Sequence, residues 1–197
     1  MSDIKLYDAI VVVTPKDFKR VESNNKRIVE YLPVRKVLFV GSKELGELVE
    51  QSSFGDKAGF VDENDIIPFD DVYNCLKDVM ADILLGRELP RGLVGWYYQQ
   101  FLKLQYARMC KDEYYMSWDG DTVPCKNFSM FSDDGRPYFD LKHEFHQEYF
   151  ITMNKLLPNL DKTIDKCFIS EHMIFNCKYL VKMLEDIESN ENIEGVP

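Results

Sequence analysis

Residues 114–121 read Tyr-Tyr-Met-Ser-Trp-Asp-Gly-Asp, an apolar run that ends on two carboxylates separated by glycine. A short apolar run of this kind predicts a buried β-strand. Open α/β sheets bind ligands at the carboxyl ends of their strands, so we expect Asp119 and Asp121 at the binding edge, with Gly120 allowing a ligand to approach closely. Two clustered carboxylates repel each other unless a cation lies between them, and oxygen ligands favour Mg²⁺ or Mn²⁺.

The sequence before this stretch alternates predicted strands and helices. Residues 9–14 form a β-branched apolar run and residues 36–40 a second one, each followed by apolar residues at helical spacing. The clearest amphipathic stripe covers residues 72–84 and predicts a helix of roughly four turns that packs on the sheet. Glycines and prolines at residues 86–95 predict a flexible loop, and residues 96–110 resume helical periodicity.

The sequence after it predicts a turn, a strand and a helix. Residues 127–131 and 137–141 flank Ser-Asp-Asp-Gly-Arg, which predicts a β-hairpin. Residues 167–170 predict a last short strand and residues 179–187 a last helix. The whole pattern predicts an α/β fold, with a central, mostly parallel sheet flanked by helices and the hairpin as a small antiparallel addition.

Length and charge limit the classes of protein that fit. The 197 residues suit one domain, which we place at residues 1–189, before a polar tail at residues 190–197 that could link to a further domain. The formal net charge of -10 argues against a general nucleic-acid binder, which needs a basic face. An anionic substrate therefore needs a local metal ion or basic side chains to offset the field of the protein.

Cysteine usage and hydropathy bear on the compartment. The five cysteines show no C-x-x-C spacing, and an odd count argues against a disulfide framework. No stretch approaches 18 consecutive apolar residues, and the first residues have no apolar signal region. We therefore expect a soluble cytoplasmic protein with reduced thiols and no transmembrane segment.

The order of these elements, with Asp-x-Asp after an apolar strand late in the chain, resembles the GT-A fold of nucleotide-sugar glycosyltransferases, which is Rossmann-like. Residues 95–103, Gly-Trp-Tyr-Tyr-Gln-Gln-Phe-Leu-Lys, and residues 169–175, Ile-Ser-Glu-His-Met-Ile-Phe, are similar to blocks in a family of glycosyltransferase-like proteins. Within that family the chain is similar to the amino-terminal domain of a chlorella-virus enzyme implicated in glycosylating the capsid protein. The resemblance covers nearly the whole chain.

The resemblance implies a metal-dependent enzyme that transfers a sugar from a nucleoside-diphosphate donor. The implied donor is a UDP-sugar, with UDP-glucose and UDP-rhamnose as candidates, and the implied acceptor is a glycan or glycoprotein, such as a viral capsid glycan. For a viral protein the compartment is the host cytoplasm. The resemblance leaves open whether the anomeric configuration inverts or is retained.

The resemblance also implies roles for particular acidic residues and one histidine. Asp121 would bind Mn²⁺ or Mg²⁺ on the donor diphosphate, and Asp119 would serve the ribose, the metal or both. His172 is a candidate third metal ligand or acceptor-orienting group. Glu171 is the candidate general base, with Asp140 in reserve, because an inverting transfer needs a carboxylate close to the acceptor hydroxyl. The ordinary alternatives are an Asp-Gly turn after a strand and solvated or capping groups.

Further candidates follow from position along the chain. The nucleoside would be contacted at the ends of the first two predicted strands, by Thr14, Lys16, Gly41 and Ser42. The sugar and phosphates would be contacted from the predicted loop and the helix after it, by Arg91, Trp96, Gln99 and Lys103. A helix cannot bury three consecutive aromatic residues on one side, so at least one of residues 96–98 should be free to stack on a ligand. A solvated face is the alternative for each charged residue.

Two other functions remain open. Residues 119–123 also fit the Asp-x-Asp-x-Val motif of haloacid-dehalogenase-type phosphatases, in which Asp119 would be the nucleophile. That fold normally begins with this strand, whereas here the motif follows more than half of the chain. The other alternative is a catalytically inactive domain that binds nucleotide sugars.

Overall fold

A five-stranded sheet organises the protein. The structure is a computed structural model that describes residues 5–143 and 146–190. The strands are β1 (Ala9–Val12), β2 (Val37–Gly41), β3 (Ala58–Asp62), β4 (Tyr114–Trp118) and β5 (His172–Asn176). They lie in the order β3-β2-β1-β4-β5, all parallel except β5, which is antiparallel to β4. The predicted α/β fold with a mostly parallel sheet is confirmed.

Helices flank this sheet. In the described residues the α-helices are α1 (Pro15–Arg20), α2 (Glu22–Tyr31), α3 (Lys43–Glu50), α4 (Glu63–Ile66), α5 (Phe69–Val79), α6 (Ala81–Leu84), α7 (Arg91–Gln105), α8 (Gln147–Leu156) and α9 (Cys177–Glu188). Short 3₁₀ turns cover Gly55–Lys57 and Tyr106–Arg108.

Both faces of the sheet are covered, as the unbroken apolar run of β1 predicts. Alternate residues of each strand point to opposite faces, so Val11 packs in one cluster and Ile10 in the other. The first cluster joins the sheet to α1, α2 and α3, and the second joins it to α5, α7 and α9. Fully burying one such aliphatic side chain contributes about 1.5–3 kcal/mol, so these two layers hold the strand ends in place.

The chain passes from β1 into α1 through a capping threonine and a proline, Thr14 and Pro15. We predicted that Pro15 ends the strand, and β1 does end just before it, at Val12. Pro15 is itself the first residue of α1. A backbone N–H at this position would have no hydrogen-bond partner within the helix, so proline is tolerated there. The Thr14 hydroxyl accepts a hydrogen bond from the Asp17 amide at 3.1 Å and so caps the helix.

Strand β3 was not predicted. Its sequence, Ala-Gly-Phe-Val-Asp, contains a glycine and all five residues are only partly buried, so it lacks an apolar run. It nevertheless pairs with β2 over its full length at the edge of the sheet. Gly59 has a packing reason, because a Cβ there would lie 2.9 Å from the Leu38 Cδ2. The binding edge therefore includes one more strand end, followed by Glu63.

The predicted helix at residues 72–84 is two helices. The chain breaks at Met80, whose backbone is not helical, between α5 and α6. Val72 and Leu76 are buried as predicted, but Ile83 is 73% exposed. The prediction that the whole stripe packs on the sheet is therefore wrong for Val79 and Ile83, which are exposed because the chain changes direction at Met80, whereas Leu84 still packs against the second cluster.

The predicted loop at residues 86–95 is shorter than expected. Leu85 and Gly86 take positive φ values of 48° and 81°, which turns the chain after α6. Helix α7 already begins at Arg91, so Gly92 and Gly95 are helical. The predicted helix from residue 96 onward is confirmed through Gln105 and ends in a 3₁₀ turn.

The antiparallel part of the sheet differs from the predicted hairpin. The residues predicted to form it share one isolated bridge, between Phe131 and Pro137, around a turn in which Gly135 has φ 80°. The antiparallel strand is instead β5, which begins at His172, and residues 167–170 contribute only a bridge from Cys167 to Lys142. The predicted last strand was thus placed about one strand length too early.

Among the described residues, no helix has the length and apolar character needed to cross a membrane. The predicted polar tail lies outside the described residues except for Asn190.

Gly41 offers a test of how closely β1 and β2 pack at the binding edge. A Cβ at this position would lie 2.7 Å from both the Val13 carbonyl oxygen and the Leu45 Cδ2. Gly41→Ala should therefore lower the free energy of unfolding in urea by about 1–3 kcal/mol, the usual cost of overpacking. Gly92→Ala is the control, because a Cβ there meets nothing within 4 Å. Equal stability of the two variants would contradict the packing.

Candidate functional site

The two carboxylates lie in a turn that the surrounding backbone fixes. β4 ends at Trp118, and the Thr122 amide donates to the Asp119 carbonyl at 3.0 Å, which closes a turn with Gly120 and Asp121 at its centre. The Trp118 indole N–H donates to the Thr122 carbonyl at 2.8 Å. The Asp119 amide donates to the Glu171 carbonyl at 2.9 Å, just before β5. The acidic turn therefore lies at the carboxyl end of β4, as predicted.

The backbone conformation at position 120 does not require glycine. A Cβ there would lie 3.4 Å from the Val11 Cγ1 and 3.9 Å from the Val13 Cγ2, which is ordinary contact. Its φ is not positive, unlike that of Gly135. The turn could therefore hold a larger residue at position 120. Neither backbone conformation nor packing within the protein requires glycine here, so only the close approach of a ligand would require it.

Lys103 neutralises one of the two carboxylates. Its Nζ lies 2.5 Å from the Asp119 Oδ1, and the lysine side chain is only 13% exposed. The Lys103 backbone carbonyl accepts a hydrogen bond from the Tyr115 hydroxyl, so helix α7 is tied to β4 at two points. The structure describes no such partner for the Asp121 carboxylate. The turn therefore presents one paired and one unpaired carboxylate.

A cavity of about 460 Å³ opens at this edge of the sheet. The ends of β1 and β4, one side each of α1 and α7, and the first residues of α4 and α5 form its walls. Of the residues expected to bind ligand from the sequence, it brings together Thr14, Trp96, Gln99, Asp119 and Asp121. This is the strongest agreement between the sequence and the structure at the site, because these residues come from three separate segments.

Three residues of the β1–α1 junction form a hydrogen-bonded chain along one wall. The Thr14 hydroxyl donates to the Asp17 Oδ2 at 2.9 Å. The Asp17 Oδ1 accepts from the Arg20 Nε at 3.1 Å. The bond to Asp17 holds the Arg20 guanidinium in place. The Arg20 side chain is nevertheless 68% exposed, so the guanidinium is open to solvent. Arg20 is the one basic side chain among the described residues that line the cavity.

The far end of the cavity, next to β3, carries Glu63, Phe69 and Tyr98. Phe69 packs edge-on against Tyr98, with ring centres 5.1 Å apart. The Tyr98 hydroxyl donates to the Ile67 carbonyl at 2.8 Å, which fixes the ring. Glu63 is partly buried, and this burial, together with the neighbouring charge of Asp62, raises the pKa of its carboxyl. The structure describes no hydrogen-bond donor to the Glu63 carboxylate.

Trp96 is the most exposed aromatic residue of α7. Its side chain is 57% exposed and it lines the cavity, whereas Tyr98 is buried. Tyr97 holds the indole edge-on, with ring centres 5.0 Å apart. The expectation that one of the three consecutive aromatics remains available for stacking is therefore confirmed.

The acceptor-side candidates form a separate cluster beside β4. His172 lies opposite Trp118 in the β4–β5 pairing and stacks on its ring, with centres 5.0 Å apart. The His172 Nε2 lies 3.6 Å from the Asp140 Oδ2. Lys142 lies 3.2 Å from Glu171. A hydrogen bond to the backbone and the contact with Lys142 lower the pKa of Glu171, which makes it a weaker base.

Several other candidates lie away from the cavity. Within the described part of the chain, its lining does not include Lys16, Gly41, Ser42, Arg91, Asp140, Glu171 or His172. Lys103 acts from behind the wall, through Asp119. Residues 5–143 and 146–190 contain no group of three or more His, Cys, Asp or Glu side chains arranged to hold a metal ion. His172 therefore does not join Asp119 and Asp121 in such a group.

Sequence reasoning missed four polar or aromatic residues of the cavity: Asp17, Arg20, Glu63 and Phe69. A signal existed for the first two, because Thr-x-x-Asp after a strand is a helix-capping pattern and Arg20 follows Asp17 by three residues on the same helix face. Glu63 and Phe69 had no signal once β3 was missed, since their position depends on that strand.

The Lys103–Asp119 pair can be tested by a double-mutant cycle. Lys103→Met should lower the free energy of unfolding by about 1–3 kcal/mol, because it leaves a partly buried carboxylate without its partner. The double variant Lys103→Met, Asp119→Asn should cost less than the sum of the single variants by at least about 0.5 kcal/mol in urea unfolding. Lys182→Met, which breaks the exposed Lys182–Asp186 pair, is the control and should cost under about 1 kcal/mol. Additive costs at Lys103 and Asp119 would contradict the pair.

Glu63 should make stability depend on pH. Its pKa is raised in the folded protein, so the folded state holds the proton more readily than the unfolded state. Its contribution is therefore favourable at acidic pH and is lost as pH rises through the raised pKa. Glu63→Gln should raise the thermal midpoint at pH 8, and the gain should shrink toward pH 4, measured by circular dichroism. Glu47→Gln, on the exposed side of α3, is the control. A gain that is constant across this range would contradict the raised pKa.

Comparison with family models identifies one match, which covers residues 2–193 and is described as a family of unknown function, DUF6492. Comparison with curated proteins finds no match. The family match extends from before β1 to beyond α9, so it includes every strand of the sheet and every wall of the cavity. The chain therefore belongs to the DUF6492 family.

Proposed function

We propose that the protein is a metal-dependent glycosyltransferase that transfers a sugar from a UDP-sugar, such as UDP-glucose or UDP-rhamnose, to a glycan or glycoprotein acceptor. The observation that carries the proposal is the pair Asp119 and Asp121, in a fixed turn at the carboxyl end of β4, facing a cavity of about 460 Å³. That volume is within the range of small-molecule binding sites.

The donor atoms in the turn fit a divalent ion that is shared with a substrate. Asp121 offers an unpaired carboxylate in the described structure, and Asp119 keeps its Oδ2 free of the bond to Lys103. Mg²⁺ and Mn²⁺ commonly take one or two protein carboxylates and complete their shell with substrate phosphates. A protein cage of three or more ligands is not needed. The bound ion would stabilise, as a Lewis acid, the charge that develops on the departing diphosphate.

The residues of this chain would divide the remaining tasks. Lys103 would hold Asp119 in one orientation and remove part of the repulsion between the two carboxylates. Arg20, held by Asp17 at the cavity wall, would contact the diphosphate. Trp96 would stack on a sugar or base and Gln99 would hydrogen-bond sugar hydroxyls, both from α7.

The acceptor would approach from the other side of β4, where Asp140, Glu171 and His172 lie. For an inverting transfer, Asp140 is the better candidate base, because Glu171 is paired with Lys142 and its pKa is lowered. His172, 3.6 Å from Asp140 and stacked on Trp118, would orient that carboxylate. The backbone bond from Asp119 to Glu171 joins this cluster to the acidic turn.

The proposal is tested by nucleotide-dependent stabilisation. UDP with Mn²⁺ should raise the thermal midpoint of the protein, because a ligand that binds only the folded state stabilises it by mass action. Asp121→Ala should abolish the shift, since the unpaired carboxylate is lost. Asp56→Ala is the matched control, because this exposed carboxylate lies just before β3, at the opposite end of the sheet.

Turnover distinguishes the proposal from its alternatives. Incubation with a panel of UDP-sugars and Mn²⁺ should release UDP from one of them, and more so with an acceptor. Hydrolysis of a phosphomonoester without any nucleotide-dependent shift would support the phosphatase and overturn the proposal. A UDP shift that Asp121→Ala abolishes, but with no release of UDP from any donor, would indicate an inactive nucleotide-sugar-binding domain.

A further inference from the structure

The cavity has two ends with different chemistry. The acidic turn lies after β4, and Glu63 lies after β3, with β2 and β1 between these strands. Adjacent strands are about 4.8 Å apart, so the two strand ends are separated by about 14 Å across the sheet. One cavity reaches both ends. A ligand that is held by its phosphates at the acidic turn could therefore extend to Glu63, a span comparable with the length of a nucleoside diphosphate.

The Glu63 end suits a flat, partly apolar group. Phe69, which packs on the buried Tyr98 ring, supplies exposed aromatic surface, and Gly95 leaves open space, because a Cβ there meets nothing within 4 Å. The Tyr98 hydroxyl is already used in its bond to the Ile67 carbonyl. Asp62, the other acid at the end of β3, accepts hydrogen bonds from the Asn64 amide and side chain. Glu63 is the carboxylate that remains to contact a ligand.

We propose that Glu63 recognises the base of the donor nucleotide, an inference that rests on the proposed function. Its carboxylate would accept a hydrogen bond from a ring N–H of the base. This contact would select uracil or guanine over cytosine or adenine. Uracil and guanine carry a hydrogen on the ring nitrogen beside a carbonyl. Cytosine and adenine present a lone pair at the equivalent nitrogen. An ionised carboxylate only accepts hydrogen bonds, so it pairs with the ring N–H of uracil or guanine. Against cytosine or adenine, its lone pairs would face the lone pair of the ring nitrogen.

The cost of Glu63 to the free protein supports a role in binding. Burial and the neighbouring charge of Asp62 disfavour the ionised Glu63 carboxylate and raise its pKa, and the described structure gives this carboxylate no hydrogen-bond donor. Glutamine would fill the same volume without that charge. Residues that cost stability in this way are concentrated at functional sites, where the ligand supplies the missing partner.

The test is a comparison of four nucleotides by isothermal titration calorimetry at pH 8 with saturating Mn²⁺. The wild-type protein should bind UDP or GDP at least about tenfold more tightly than CDP and ADP, because the disfavoured bases leave polar groups unpaired. Glu63→Gln should reduce this preference to within about threefold, since an amide can both accept and donate. Glu47→Gln is the control and should keep the wild-type preference. Tighter binding of UDP than of GDP identifies uracil as the base, whereas tighter binding of GDP would identify guanine and overturn the UDP-sugar donor of the proposed function.

The outcomes separate this inference from the proposed function. Equal binding of all four nucleotides, or a preference that survives Glu63→Gln, overturns the reading of the base and leaves the glycosyltransferase proposal intact. Absence of binding by any nucleotide overturns both. A preference that depends on Glu63, without turnover of any nucleotide sugar, supports the reading of the base and overturns only the transfer reaction.

Discussion

The central position of β1 is the constraint on which the candidate site depends. β1 pairs in parallel with β2 on one side and with β4 on the other, although β4 follows it much later in the chain. Parallel strands end at the same edge of a sheet, so the residues that follow β1 and β4 meet there. Thr14 and Asp119 line one cavity for this reason. Loss of the β1–β4 pairing would separate them even if each local turn survived.

The electrostatics of the cavity explain why the proposed function includes a divalent ion. Its lining carries the carboxylates of Asp17, Glu63, Asp119 and Asp121 but one guanidinium, that of Arg20, in the part of the chain that the structure describes. The chain as a whole has a formal charge of -10. A diphosphate would be repelled by this surface unless a cation accompanied it. Lys103 reduces the excess at Asp119 only.

The elements that could be predicted are those whose signal is local. The apolar runs of β1, β2 and β4 and the acidic turn depend on neighbouring residues, and the structure agrees with each. β3 could not be predicted, because Gly59 and partial burial remove the apolar run, and its stability comes from pairing with β2. Glu63 was missed as a direct consequence.

Contacts between residues that are distant in sequence could not be predicted from the sequence pattern. Lys103 was expected to meet phosphate, but its contact is with Asp119, sixteen residues later, which depends on how α7 crosses the sheet. His172 was expected to follow the short strand predicted at residues 167–170, whereas it begins the antiparallel strand β5. The amino end of an antiparallel strand lies at the same edge as the carboxyl end of its neighbour, so the residue still adjoins the acidic turn.

The two bonds made by Lys103 also limit how the protein can move. Its ammonium group holds Asp119 and its carbonyl accepts from the Tyr115 hydroxyl, so sliding α7 along β4 would break both contacts at once. Shear between packed elements is one of the two common ways in which proteins close around ligands, and the other is hinge rotation. Sliding of α7 therefore costs two polar contacts, whereas hinge motion at a turn outside α7, such as that at Leu85 and Gly86, leaves both of them intact.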